Sequence, residues 1–302
     1  MAHDHHHIDP DAGDRRVALA ILVNLGLTVV QVVGGVLAGS LALIADALHN
    51  FSDAIALIIA FGARKIARRP PNAQMTFGYG RAEVVAALIN YTTLIVIGLY
   101  LVYEAIVRFL DPQGVDGWLI VIIAGVALAI DAATALLTFS MAKSSMNIRA
   151  AFLHNVADAL GSVAVIVAGT LILLYDWRLV DPLVTLMIAG YILWQSATEI
   201  GGVIRILMLG SPPDIATEDV VRCMRETAGV SDVHHAHLWL MQEHAPALDA
   251  HIVIDDGDWA KADAIKGAVK QRLQDQFGIA HTTLEMECFQ HACDDPILIG
   301  HG

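Results

Sequence analysis

Apolar residues run almost unbroken along the first two thirds of the chain, then give way to a mixed pattern in the last third. Six apolar stretches, near 17–38, 41–66, 82–109, 118–141, 150–174 and 182–207, are each long enough to cross ~30 Å of hydrocarbon as a helix of about 20 residues. The breaks between them carry turn-forming residues: Gly39-Ser40, Arg69-Pro70-Pro71-Asn72, Asp111-Pro112-Gln113-Gly114, Lys143-Ser144-Ser145 and Asp181-Pro182. Residues 1–14 are polar and the first apolar run is a full span, so no cleavable signal peptide is expected. After residue 210 the pattern predicts a small α+β domain, with helices over 216–228 and 259–277 and strands over 232–242, 247–254 and 280–288. The division expected is a tail (1–14), a six-span membrane domain (15–209) and a soluble domain (210–302).

Composition sharpens this picture. The 302 residues are 56% hydrophobic and only 16% charged, with a mean hydropathy of +0.59, outside the range of an ordinary soluble enzyme. The net charge of −13 comes mostly from residues 210–302, which hold 16 Asp/Glu against 6 Lys/Arg. A nucleic-acid binder needs a basic face, and that class is excluded. The three cysteines all follow residue 222 and suit a reducing compartment or a metal rather than a disulfide scaffold. Arg15, Arg16, Arg64, Lys65, Arg68, Arg69, Arg81, Lys143, Arg149 and Arg205 fall on one side of the spans, with only Arg108 and Arg178 on the other. By the positive-inside rule both termini are cytoplasmic, as is the acidic domain.

Ionisable groups inside spans default to a functional reading. Of 14 histidines only His49 and His154 lie in spans, each with an Asp four residues on, Asp53 and Asp158. Four residues is just over one helical turn, so each pair shares a face. The flanks repeat: Leu48-His49-Asn50-x-x-Asp53-Ala54 matches Leu153-His154-Asn155-x-x-Asp158-Ala159. One such pair is equally well explained as a helix-stabilising hydrogen bond or an interhelical clamp. Two matching pairs supply two imidazoles and two carboxylates, a tetrahedral set suited to Zn²⁺ and equally to Cd²⁺ or Co²⁺. Two carboxylates in low dielectric leave a charge of −2 that one divalent ion cancels, and protons replace the ion when it leaves. Asp46, three residues before His49, is placed to orient a ligand. Asp131 reads equally as a proton relay or a buried clamp, while Asn24, Gln31, Asn90, Glu104, Gln195 and Glu199 read as interhelical pairing.

Taken together, Gly39-Ser40-Leu41-Ala42-Leu43 leading into Asp46-x-x-His49-x-x-x-Asp53, then Phe77-Gly78-Tyr79-Gly80-Arg81-x-Glu83, then His154-x-x-x-Asp158, resemble the cation diffusion facilitator family over residues 15–290. The likeness is to its zinc-transporting branch, which includes vertebrate zinc transporters and bacterial zinc/cadmium/cobalt exporters. The resemblance implies a homodimer in a bacterial inner membrane that exchanges cytoplasmic Zn²⁺ for H⁺ by alternating access around His49, Asp53, His154 and Asp158. It also implies a ferredoxin-like cytoplasmic domain that binds zinc and supports the dimer. There the family pattern points to His251, His281 and Glu287, with His237 at a second position, and Cys288, His291 and Cys293 form a soft-ligand cluster at the end. The remaining domain histidines, His234, His235, His244 and His301, are read as surface residues without a role. Two departures stand out. Neither Pro70–Thr76 nor Met141–Arg149 holds a histidine, and the stretch just after the sixth span, Leu207-Met208-Leu209-Gly210, holds no acid to pair with Arg81.

The N-terminal His3-Asp4-His5-His6-His7 reads as a zinc-collecting tail in preference to an added tag. An intramembrane metalloprotease is disfavoured because no His-Glu-x-x-His run occurs. A membrane-anchored metal sensor is the alternative, though a sensor has no need of four ligands at mid-membrane.

Overall fold

The computed structural model describes residues 25–139, 146–288, 292–293 and 297–300, with side chains at all but 137–139, 146–151, 154 and 256–258. The N-terminal tail and residues 17–24 of the first expected span lie outside the described residues. The rest of that span is helix α1, Leu25–Ala38. It is followed by α2 (Leu41–Ala67), α3 (Arg81–Leu110), α4 (Gly117–Phe139), α5 (Met146–Tyr175) and α6 (Val180–Leu207). Among the described residues five helices, α2 to α6, are long and apolar enough to cross a membrane. Large apolar side chains such as Phe61, Leu99, Tyr103, Ile122, Leu136 and Trp194 are exposed on them, the pattern of a lipid-facing bundle rather than of a water-soluble one.

Within the bundle, small residues let the helices approach: Ala38, Ala42, Ala124 and Ala168 are buried in one cluster. At the crossing of α4 with α5, a Cβ on Gly117 would stand 2.7 Å from the Gly169 carbonyl oxygen. The α1–α2 turn bends at Gly39, whose φ of 68° is left-handed and favours glycine. Ser40 caps α2, its Oγ accepting from Leu43 N at 3.1 Å. The other donors of that first turn go to a buried carboxylate on α6: Asp181 accepts from Leu41 N (2.8 Å), Ala42 N (3.3 Å) and the Ser40 hydroxyl. Arg108 from the end of α3 donates to the Gly39 carbonyl and sits 3.9 Å from Asp181. This end of α2 is therefore pinned to both α3 and α6.

The last third folds as α7 (Thr217–Arg225), β1 (Val230–Gln242), β2 (Ala245–Ile254), a short 3₁₀ turn (Asp256–Lys261), α8 (Ala262–Phe277) and β3 (His281–Cys288). The sheet order is β1-β2-β3; β1 and β2 form an antiparallel hairpin, and α8 is the crossover between parallel β2 and β3. The expected elements are all present, in a ferredoxin-like arrangement without its first strand. Alternate residues divide the sheet. Val233, Ala236, Leu238, Leu248, Ala250, Ile252 and Ile254 pack on α7 and α8 through Val220, Met224, Ile265, Val269 and Leu273. The opposite face carries His234, His251, Glu285 and Glu287.

Two compact units result. One comprises the described residues up to Phe61 with Ile89–Glu199; the other joins Gly62–Leu88 to Ile200–Gly302. Inside the second, Arg81 finds main-chain carbonyls in place of the acid that the sequence lacks. Its Nε donates to Met241 O (3.0 Å) and its Nη2 to Leu240 O (3.5 Å), beside a cluster of Val84, Ile206 and Leu240.

Candidate metal centres

In the membrane unit, α2 and α5 present polar faces to each other. His49 Nε2 lies 3.3 Å from Asp158 Oδ1 and 3.6 Å from Asp53 Oδ2. One ligand atom from each of the three falls within 4.8 Å of the others. His154 lies on α5 one turn before Asp158, and its side chain is outside those described. An edge of the Tyr191 ring from α6 meets the His49 imidazole, with centroids 6.5 Å apart. No sequence signal marked Tyr191, one aromatic among several in the spans.

Behind His49 runs a buried amide–carboxylate chain: Asn50 Nδ2 donates to Gln31 Oε1 (3.1 Å) and Gln31 Nε2 to Asp46 Oδ2 (2.6 Å). Asp131 accepts from the Ser162 hydroxyl at 3.2 Å. Asp46 therefore ties α2 to α1 through Gln31, which has a more definite partner than simple pairing suggested.

The second centre lies on the face of the sheet opposite α7 and α8. Successive strand residues normally point to opposite faces, yet His234 and His235 both turn toward His251. The register slips between His234 and His237, and His235 adopts a left-handed φ of 47°. Ring centroids are 4.9 Å apart for His234–His235 and His235–His251, and 5.2 Å for His234–His251. Cys293 Sγ completes the group at 3.9 Å from His235 Nδ1 and 4.0 Å from His251 Nδ1. Ligand atoms of His234, His235, His251 and Cys293 all lie within 4.8 Å of one another. Glu287 Oε1 is 2.6 Å from His251 Nδ1, and Glu285 Oε2 is 3.3 Å from His251 Nε2. His234 is buried with neither ring nitrogen hydrogen-bonded, and Glu287 Oε2 is likewise unsatisfied; the two approach to 3.3 Å without hydrogen-bond alignment. Loss of solvent and the Glu287 charge push the Cys293 thiol above its usual range.

Family comparison fits both halves. The cation efflux transmembrane domain matches residues 17–208, and the cation efflux protein cytoplasmic domain matches residues 212–289. The chain belongs to the cation efflux family. It is 35% identical over 301 residues to a cadmium, cobalt and zinc/H(+)-K(+) antiporter of Bacillus subtilis, covering 99% of this chain and 96% of that protein. It is 36% identical over 294 residues to the zinc transporter ZitB of Escherichia coli, covering 95% and 93%. The metal-bound C-terminal domain of the CzcD transporter from Cuprividus metallidurans is 27% identical over 24% of this chain and 99% of that chain, with a TM-score of 0.23. A multi-pass membrane protein of a transporter family, not an enzyme class, is thereby established.

The cytoplasmic expectations need correction. His234 and His235 are not solvated surface residues; a β-bulge, which alternation cannot foresee, brings both into the cluster. His281 is exposed at the start of β3 opposite Ala247, and its ring packs edge-on against Phe77. It stands four positions from Glu285, the partner of His251, or about 13 Å along the strand, too far to share an ion with His251 within one chain. His237 sits opposite Asp249, one pair along from the cluster. Cys288 pairs with Ile254 and so falls on the helix-covered side of the sheet, away from Cys293. His291 and His301 lie outside the described residues, and His244 is exposed beside Glu243.

Proposed function

We propose that this protein exports Zn²⁺ from the cytoplasm in exchange for H⁺, with Cd²⁺ and Co²⁺ as further substrates, by alternating access around His49, Asp53, His154 and Asp158. The observation that carries this reading is the convergence of His49, Asp53 and Asp158 from two helices onto one point. The names of the relatives support the ion class, and that of the Bacillus protein includes H⁺.

The chemistry is an exchange of charges at one place. An arriving divalent ion meets two carboxylates and displaces protons from the imidazoles and carboxyls, because only deprotonated groups donate lone pairs. When the site faces the far side, protons compete for the same lone pairs and the ion leaves. His49, whose Nε2 reaches carboxylates on both helices, is placed to hold a proton between them in the metal-free state. The reading carries with it a homodimer, cytoplasmic termini in a bacterial inner membrane, a His-rich tail over 1–14, a transport domain over 15–209 and a metal-responsive domain over 210–302.

The test is metal flux in proteoliposomes under an imposed pH gradient. Asp53→Ala and Asp158→Ala should each abolish Zn²⁺ uptake while the protein stays folded, since each removes a first ligand and leaves the ion's charge uncompensated. Normal flux in either variant would remove these residues from the path. Metal binding without flux in the parent would favour a sensor.

A further inference from the structure

What holds α2 in the rotation that presents His49 and Asp53 to α5 is found on α1. Gln31 is wholly buried, and its amide reaches two positions of α2 at once: Nε2 donates to Asp46 Oδ2 at 2.6 Å, and Oε1 accepts from Asn50 Nδ2 at 3.1 Å. Asp46 and Asn50 are each 4% exposed, so solvent has little access to either bond. At about 100° per residue, positions 46 and 50 lie about 40° apart around α2, and His49 and Asp53 occupy the neighbouring arc, centred about 60° away. Asp46 also lies against α5: a Cβ on Gly161 would stand 3.4 Å from its Oδ1, and Gly161 follows Asp158 by three residues. The carboxylate therefore sits where α1, α2 and α5 meet, beside the face that carries the proposed ligands.

We propose that Gln31 is a positioning residue of the transport site: its amide fixes the roll of α2 about its own axis, and with it the reach of His49 and Asp53 toward Asp158. One hydrogen bond would leave a pivot, whereas two bonds from one planar amide, one helical turn apart, resist rolling. Side-chain ends stand about 5–6 Å from a helix axis, so a roll of about 20° displaces them by about 2 Å, as far as a Zn–N bond is long. An amide suits this task because it offers a donor and an acceptor together, the first matched here to a carboxylate and the second to another amide. The pairing is stringent, since a buried donor or carboxylate left without its partner is costly in a low-dielectric bundle. Gln31 acts through Asp46 and Asn50 rather than on the ion. The inference rests on the transport reading, in which His49 and Asp53 are ligands.

The experiment is Zn²⁺ flux of the full-length protein in proteoliposomes, resolved into half-saturating concentration and maximal rate, with thermal unfolding in detergent alongside. Gln31→Leu keeps the size of the side chain and neither hydrogen bond. Its half-saturating Zn²⁺ should rise about tenfold or more, the usual effect of losing a group that orients a metal ligand. Gln31→Glu sets a second carboxylate against Asp46 and should weaken affinity in the same direction. Adding Asp46→Asn to Gln31→Glu restores one amide and one carboxylate, with the donor now on α2, and should recover most of the parent's affinity. A purely structural role would lower the unfolding temperature without moving the half-saturation of the folded protein, and exchanging the two groups would not repair it. Unchanged half-saturation in folded Gln31→Leu overturns the proposal, as does a deficit in Gln31→Glu that the exchange fails to repair. Should Gln31→Leu not fold, unchanged half-saturation in Gln31→Glu overturns it instead. Asp53→Ala separates the two readings. Normal flux there removes the transport assignment and the proposal with it, whereas lost flux there with unchanged half-saturation in Gln31→Leu removes the proposal alone.

Discussion

At the scale of single residues, His49 would set the balance between nitrogen and oxygen at the proposed membrane site. Replacing it with Asp exchanges an imidazole for a harder carboxylate and adds negative charge close to Asp53 and Asp158. His49→Asp should raise the transport of Mn²⁺, Fe²⁺ and Cd²⁺ relative to Zn²⁺, read as a changed ranking in competition flux. An unchanged ranking would show that selectivity is set elsewhere. His235 offers a different trade. Gly at that position relieves a left-handed backbone strain of about 1–2 kcal/mol while making the unfolded chain more flexible by about 0.4–1 kcal/mol. Metal-free stability of His235→Gly should therefore rise by between about 0 and 1.6 kcal/mol. Any rise in melting temperature on adding Zn²⁺ should shrink, because a candidate ligand is gone. An undiminished Zn²⁺-dependent rise would exclude His235 from the site.

At the scale of elements, α2 matters most, because it carries two of the proposed ligands and is fixed at one end. Asp181 is buried and takes the donors of the first turn of α2 as well as the approach of Arg108. Asp181→Ala leaves these donors and a cation without their acceptor, a change that costs about 3–5 kcal/mol when the partner stays buried. Arg108 retains some access to solvent, so the lower end of that range is expected, measured as unfolding in detergent. A loss below about 1 kcal/mol would mean that water replaces the carboxylate. The sequence made α2 legible through its unbroken apolar run and through the spacing of His49 and Asp53. It marked Asp181 only as turn punctuation, because the partner lies 141 residues away at Ser40. The soluble domain was legible to the same depth. Strands and helices followed from alternation and periodicity, but His234 and His235 were both read as surface residues without a role. A bulge formed at a histidine, without the glycine that usually advertises a left-handed residue, leaves no trace in the pattern. The family pattern likewise pointed to His281, and the soft-ligand reading of the chain end to Cys288; register and strand parity place both away from the histidine cluster.

At the scale of the whole molecule, charge governs how two copies would meet. Residues 210–302 carry 16 acidic and 6 basic residues, so two such domains repel unless something intervenes. Cations bound at the histidine cluster would offset part of that repulsion. In the proposed homodimer, removing metal with a chelator should raise the monomer fraction at low ionic strength. The effect should fade near 1 M salt, where charges are screened beyond about 3 Å. Analytical ultracentrifugation in detergent reads both arms, and a salt-independent response would show that metal acts through shape rather than charge.

The pin at Ser40 and Asp181 also makes α2 a lever. At 1.5 Å per residue, His49 and Asp53 stand about 14 and 20 Å from the fulcrum and Ala67 about 40 Å. A swing of about 10° about that point carries the proposed ligands roughly 2.4–3.5 Å, at least the length of a metal–ligand bond, while the far end sweeps about 7 Å. A helix held this way can let go of an ion and part from its neighbours in a single stroke, with the larger movement always at the end remote from the pin.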